Sequence, residues 1–136
     1  MKKFTLCAGF AREYKNHGQH CEQWARYTLT GERVKADNIR HDKGADCLDF
    51  QIKSARATVC QGLDLIAYVE TEQATRFIYV TMDGAGYEMT KAEYITFCQT
   101  FGTITRDSKE NGGREKIRLK HESRALIAFL EERVRE

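Results

Sequence analysis

The 136-residue chain predicts a mixed α+β or α/β fold, a central mixed β-sheet flanked by helices, and three observations carry that prediction. From Leu48 to Lys53 apolar and polar residues alternate, which places Leu48, Phe50 and Ile52 on one face of a strand and Asp49, Gln51 and Lys53 on the other. Phe77-Ile78-Tyr79-Val80 is apolar at every position, the pattern of a strand buried on both faces at the centre of a sheet. Between and after these strands lie segments with helical spacing, one of them opened by the capping box Thr90-Lys91-Ala92-Glu93.

The elements follow in order. Residues 1–17 read as a short strand or loop ending in the basic, aromatic segment Arg12-Glu13-Tyr14-Lys15. From Gln19 to Leu29, the residues Cys21, Trp24, Ala25, Tyr27 and Leu29 fit a helix with one buried face, closed by Thr30-Gly31. Glu32 to Ile39 reads as a strand, followed by the charged turn Arg40-His41-Asp42-Lys43-Gly44 and the alternating stretch. Ser54 to Gln61 is a short helix or a loop, and Leu63–Glu70 and Arg76–Met82 read as two strands joined by the polar turn Thr71–Thr75. Asp83-Gly84-Ala85-Gly86 is a turn. The capped helix runs to Phe101 with Tyr94, Ile95, Phe97, Cys98 and Phe101 inward, and Gly102 ends it. A hairpin turning around Asn111-Gly112-Gly113 follows, and Glu122–Val134 is an amphipathic helix with Ser123 or His121 as its cap.

Composition bounds the class. Hydrophobic content of 41% and charged content of 31% describe a single globular domain, 1–136. No apolar run approaches the roughly 20 residues that span a bilayer, and the N-terminal apolar stretch is too short and too polar for a signal peptide. The five cysteines are odd in number and lack CxxC spacing, which argues against a zinc ribbon and for free thiols in a reducing cytoplasm. Net charge is +2, distributed as +4 over residues 1–43, −4 over 44–93 and +2 over 94–136. An acidic middle between basic ends is what a metal site facing a polyanion needs.

Two stretches carry chemistry. Asp46-Cys47-Leu48-Asp49-Phe50-Gln51-Ile52-Lys53 sets carboxylates before an amide and a lysine two residues apart on one strand face. Carboxylates hold a hard divalent cation, and a lysine beside them stabilises charge or orients water at a phosphate. The competing reading is an ordinary solvated strand face. The second stretch is Arg114, Lys116, Arg118 and Lys120, which alternate with Glu115, Ile117 and Leu119. Four cations then leave one face about 6–7 Å apart, near the spacing of successive phosphates on a nucleic-acid strand. The competing reading is an edge strand blunted with charge. A GxSxG elbow, an HExxH pair and a Walker loop are absent from the sequence.

The order of these features resembles the PD-(D/E)XK nuclease superfamily, the restriction-endonuclease-like fold: a helix carrying Gly18-Gln19-His20-Cys21-Glu22, then a strand, Asp46, and Gln51-Ile52-Lys53. The resemblance covers about residues 18–82 and implies a mixed sheet flanked by helices, to which the segment 87–136 adds a C-terminal helix, hairpin and helix. It implies that Glu22 is the helix glutamate and Asp46 the metal-binding aspartate. Gln51 then stands at the second acidic position, and Lys53 is the triplet lysine. Gln51 departs from the pattern by replacing a carboxylate. Asp46 lies only five residues before Gln51, and if one strand is unbroken through 46–53, Asp49 is the ligand on the face of Gln51 and Lys53. The implied catalytic set is therefore Lys53, Gln51, Asp46 and Glu22, with Mg²⁺ or Mn²⁺ on Asp46, Asp49 and Glu22.

The function this implies is divalent-metal-dependent hydrolysis of phosphodiester bonds in DNA, with Arg56, Arg114, Lys116, Arg118 and Lys120 holding the backbone. Such a protein suits a bacterial or phage cytoplasm, and cutting both strands at one place calls for a homodimer. Two other classes stay open: a nucleic-acid-binding module that keeps the fold without activity, for which Gln51 argues, and a protein–protein adaptor with merely solvated charges.

Overall fold

A computed structural model describes residues 1–5, 17–31, 50–55, 57–106, 108–119 and 121–134. Their elements run β1 (Lys2–Thr5), α1 (His17–Thr30), β2 (Phe50–Ser54), β3 (Thr58–Gln61), α2 (Leu65–Thr71), β4 (Arg76–Val80), β5 (Ala85–Thr90), α3 (Lys91–Phe101), β6 (Gly102–Arg106), β7 (Glu115–Leu119) and α4 (Arg124–Val134). This is an α+β arrangement with two sheets. One is mixed, in the order β1-β5-β4-β2; the other is antiparallel, in the order β3-β7-β6.

β4 lies inside the mixed sheet, as its unbroken apolar run requires: it pairs parallel with β2 and antiparallel with β5. The two faces of β2 and β4 meet different cores. Ile52, Ile78 and Val80 pack under Cys21 and Ala25 of α1, with Phe4, Trp24, Leu29 and Phe50 around them. Phe77 and Tyr79 point the other way into the main core, with Tyr87, Tyr94, Phe97, Cys98, Leu119, Leu126 and Leu130. Phe77 stacks on Tyr94 with ring centroids 4.2 Å apart.

The local signals explain the helices. Thr90 accepts from the Glu93 amide while Glu93 accepts from the Thr90 amide, so the capping box opens α3 as its residues predict. Ser123, not His121, caps α4 through the Leu126 amide. Gly102 ends α3 and starts β6 without a connecting residue; a Cβ there would lie 2.4 Å from the Cys98 carbonyl oxygen, so only glycine fits.

Three expectations are corrected. Leu63–Glu70 is not a strand: Asp64 caps a helix by accepting from the Ala67 amide, and Leu65 and Val69 bury at i, i+4 spacing. The helix-or-loop at Ser54–Gln61 is instead a tight turn, closed by the Ala57 amide on the Ser54 carbonyl, followed by β3. The turn at Asp83–Gly86 is shorter than expected and leads into β5, a strand whose Gly86 leaves room for the Phe4 ring across the β1–β5 pair. The strand expected over 32–39 lies outside the described residues.

Candidate functional site

The site is built on the face of β2 turned away from α1. Gln51 and Lys53 share that face, since Ile52 between them packs under α1 and their partners on β4 are Phe77 and Tyr79. The sequence placed the two side chains together, and the structure does so too. It differs in what they face: the interior between the two sheets, where both are half-buried, in place of a solvated surface.

Lys53 reaches across to the second sheet. Its ammonium donates to the Thr58 carbonyl oxygen at 3.1 Å, and Thr58 opens β3. Among the described residues this is its one hydrogen bond, and it makes no ion pair there. A half-buried ammonium that carries one neutral acceptor, with no countercharge among the described residues, has donor capacity left, which suits it to an anion. The Gln51 side chain makes no hydrogen bond among the described residues.

The second sheet brings the backbone of the basic strand beside that junction, with Lys116 and Arg118 on the face opposite Ile117 and Leu119 and so away from the main core. Thr58, whose carbonyl holds Lys53, is the register partner of Arg118 on β7, and Gln61 is that of Lys116. The amide of Leu119 donates to the Ala57 carbonyl at 3.0 Å and fixes the same junction. Arg118 therefore starts from a backbone about 5 Å from that of Thr58. Arg114 is exposed just before the strand, its side chain over Gly112. Asp46, Asp49, Arg56 and Lys120 lie outside the described residues.

Two groups were not legible as site neighbours. Tyr79, the partner of Lys53 on β4, is fully buried, and its hydroxyl donates to Glu122 Oε1 at 3.0 Å. Burial, and then the Glu122 carboxylate, push the Tyr79 pKa upward. The Met82 amide also donates to Glu122, 3.2 Å from each oxygen. Glu122 thus ties the chain after β7 to the end of β4. No sequence signal marks this link, which joins residues 43 positions apart.

Glu22 is not brought to this face. It stands on α1, which covers the opposite face of β2. Among the described residues no three His, Cys, Asp or Glu side chains converge as a metal site, and Gln51 offers one neutral oxygen. The described donors do not by themselves supply the charge that a divalent cation needs.

Burial holds the described cysteines in their protonated form. Cys98 is buried in α3 and its pKa is pushed up to about 12, burial outweighing the Tyr94 hydroxyl and the Lys53 charge that pull it down. Burial likewise takes Cys21 to about 12 and raises Cys60. These thiols stay protonated at neutral pH.

No helix of the described residues is long and apolar enough to cross a membrane. Scans against protein-family models, curated proteins and solved structures find no match to this chain.

Proposed function

We propose that the protein is a nuclease that hydrolyses phosphodiester bonds in DNA, with Lys53 as the group that meets the scissile phosphate. The observation that carries this reading is the half-buried ammonium of Lys53, without an ion pair among the described residues and held by the carbonyl of Thr58, the register partner of Arg118 on β7. In a partly desolvated cleft a fixed positive charge stabilises the negative charge that builds on a phosphoryl group during attack by water. Gln51 on the same face orients water or phosphate through its amide.

The resemblance to PD-(D/E)XK nucleases supports this reading, with the β1-β5-β4-β2 sheet and α1 as its restriction-endonuclease-like core. In that family pattern a Mg²⁺ or Mn²⁺ ion, which Asp46 or Asp49 would hold here without Glu22, would supply Lewis acidity and a bound water of lowered pKa. The ends of β2 and β4 and the junction with β3 position the groups of this chain around Lys53.

Nicking of supercoiled plasmid by the purified protein in Mg²⁺ or Mn²⁺, abolished by EDTA, is the expected result. No cleavage with either metal across protein concentrations would overturn the reading. Binding without cleavage would leave the second reading, an inactive nuclease-fold DNA-binding protein, which the neutral Gln51 specifically favours.

A further inference from the structure

β6 is an edge strand whose main chain is left open. On β7 the Glu115 carbonyl accepts from the Gly62 amide and the Leu119 amide donates to Ala57, so the odd positions of β7 turn their backbone groups to β3. The even positions, Lys116 and Arg118, therefore bond to Thr105 and Thr103 of β6. By the same alternation the amides and carbonyls of Ile104 and Arg106 and the Gly102 carbonyl point away from the sheet, while the Gly102 amide already bonds the Cys98 carbonyl. Among the described residues no strand pairs with this edge, and Ile104 is 64% exposed. Its side chain, level with the core-facing Ile117, stands on the helix side of the sheet. There it borders a groove of about 340 Å³ that Leu63, Asp64, Ile66 and Gln99 also line, with Leu63 and Ile66 about half exposed. The usual devices that blunt an edge are missing: β6 has no proline and no bulge, and its one charge, Arg106, lies at the end.

We infer that β6 pairs antiparallel with β6 of a second copy of this chain, about a two-fold axis at Ile104; the inference stands independently of the nuclease reading. Thr103 and Thr105 flank Ile104, so the centre of the strand is its own mirror in an antiparallel pair. Pairing there sets Ile104 opposite Ile104 of the second copy, joined by two N–H···O bonds. It also sets Arg106 opposite Gly102 of the other copy, where the Arg106 amide donates to the Gly102 carbonyl, once on each side of the axis. Opposed residues share a face, so Arg106 of the second copy extends over Gly102, whose missing side chain leaves it room. Its stem then lies along the apolar wall of the groove and its guanidinium comes beside Asp64. Charge complementarity selects this occupant, since the groove is lined by one acid and no cation, and the edge that meets it ends in a cation. Asp64 accepts from the Ala67 amide and makes no ion pair among the described residues, and Arg106 keeps donors beyond the one that meets Glu115. The contact measures about 17 Å along the strand and about 20 Å through the sheet and the helix layer beneath it. That is small against the roughly 800 Å² a standard interface buries on each partner, so the dimer is weak, with a Kd on the order of tens of micromolar.

The test is sedimentation equilibrium of the purified protein from about 5 to about 500 µM, where a closed monomer–dimer equilibrium is expected. Ile104→Lys sets two like charges against each other at the axis and should weaken the dimer at least about tenfold. Asp64→Asn keeps the cap of α2 but not the charge, and should weaken the dimer a few-fold while flattening its salt dependence. Both side chains are exposed, so each variant should keep the wild-type Tm within a few degrees. Ile104→Cys supplies a readout that does not depend on those variants folding. At a hydrogen-bonded antiparallel pair the two Cα atoms lie about 5.5 Å apart, within disulfide reach, so mild oxidation should give a covalent dimer in greater yield than wild type or the exposed control Glu110→Cys. Open-ended assembly in place of a dimer, unchanged dimerisation of folded Ile104→Lys, or no excess cross-linking of Ile104→Cys would overturn the inference. So would a monomer at every concentration, which would leave the groove to a different partner.

Discussion

Replacing Lys53 by Met separates a functional lysine from a structural one. The change removes the hydrogen bond to the Thr58 carbonyl and leaves that oxygen short of a partner, at a cost of about 1–3 kcal/mol. Against this, the thioether lies on the face that Phe77 and Tyr79 share, near Cys98, and its added apolar burial returns a large part of about 1.5–3 kcal/mol. The two nearly cancel, so stability should change by no more than about 1 kcal/mol. With an unfolding entropy of about 2.1 cal/mol/K per residue, that is a Tm shift of about 3–4 °C in either direction. Plasmid nicking should fall by about 10²–10³-fold, as when one fixed donor is lost from a transition-state site. Calorimetry and a nicking time course on the same preparation give both numbers. A loss of many degrees in Tm would make Lys53 a strut between the sheets, and unchanged nicking in a folded Lys53→Met protein would remove it from the mechanism.

Two further outcomes test the frame around that site. Glu122→Ala should cost about 2–3 kcal/mol, about 7–10 °C in Tm, because the buried Tyr79 hydroxyl loses its charged acceptor; Glu122→Gln, which keeps an oxygen there, should cost less than about 1 kcal/mol. Equal Tm for the wild type and Glu122→Ala would refute the tie. Alkaline pH should unfold the protein: Cys21 and Cys98 are raised from 9.0 to about 12, and burial raises Tyr79 and Tyr94 as well. The folded state keeps protons that the unfolded chain releases, so stability is whole below about pH 9 and is lost progressively up to about pH 12. Each such group contributes up to about 1.4 kcal/mol per pH unit, and urea midpoints that stay flat from pH 9 to 11 would contradict the burial.

What the sequence revealed divides along local and non-local lines. The helix of His17–Thr30, the capped helix after Thr90, the hairpin around Gly112 and the last helix were readable because caps, glycines and 3.6-residue spacing act within a few residues. Leu63–Glu70 misleads because Leu63, Leu65, Ala67 and Val69 alternate as in a strand, while the Leu65–Val69 pair and the Asp64 cap decide for a helix. β5 hides because Gly84 and Gly86 interrupt its pattern, though Gly86 is there to admit Phe4. The site followed the same rule. That Gln51 and Lys53 share a face is a local fact of strand geometry. What covers that face depends on β3 pairing with β7, some 60 residues further along, and no local pattern encodes that partner.

That non-local pairing also bears on why a lysine at position 53 suits anion chemistry. On a solvated strand face its charge would act through water, where at 4 Å a unit pair is worth about 1 kcal/mol. Between two sheets, beside Cys98 and the buried ring of Tyr79, the effective dielectric is lower and the same charge acts more strongly on whatever enters. Desolvation is costly for an ammonium, and a carboxylate partner would offset that cost while cancelling the field. With Gln51 neutral and the Thr58 carbonyl as the acceptor, the lysine is held in place and is not neutralised by any of the described residues. On the proposed nuclease reading, the neutral Gln51 beside Lys53 would leave the lysine's charge to act on a phosphate.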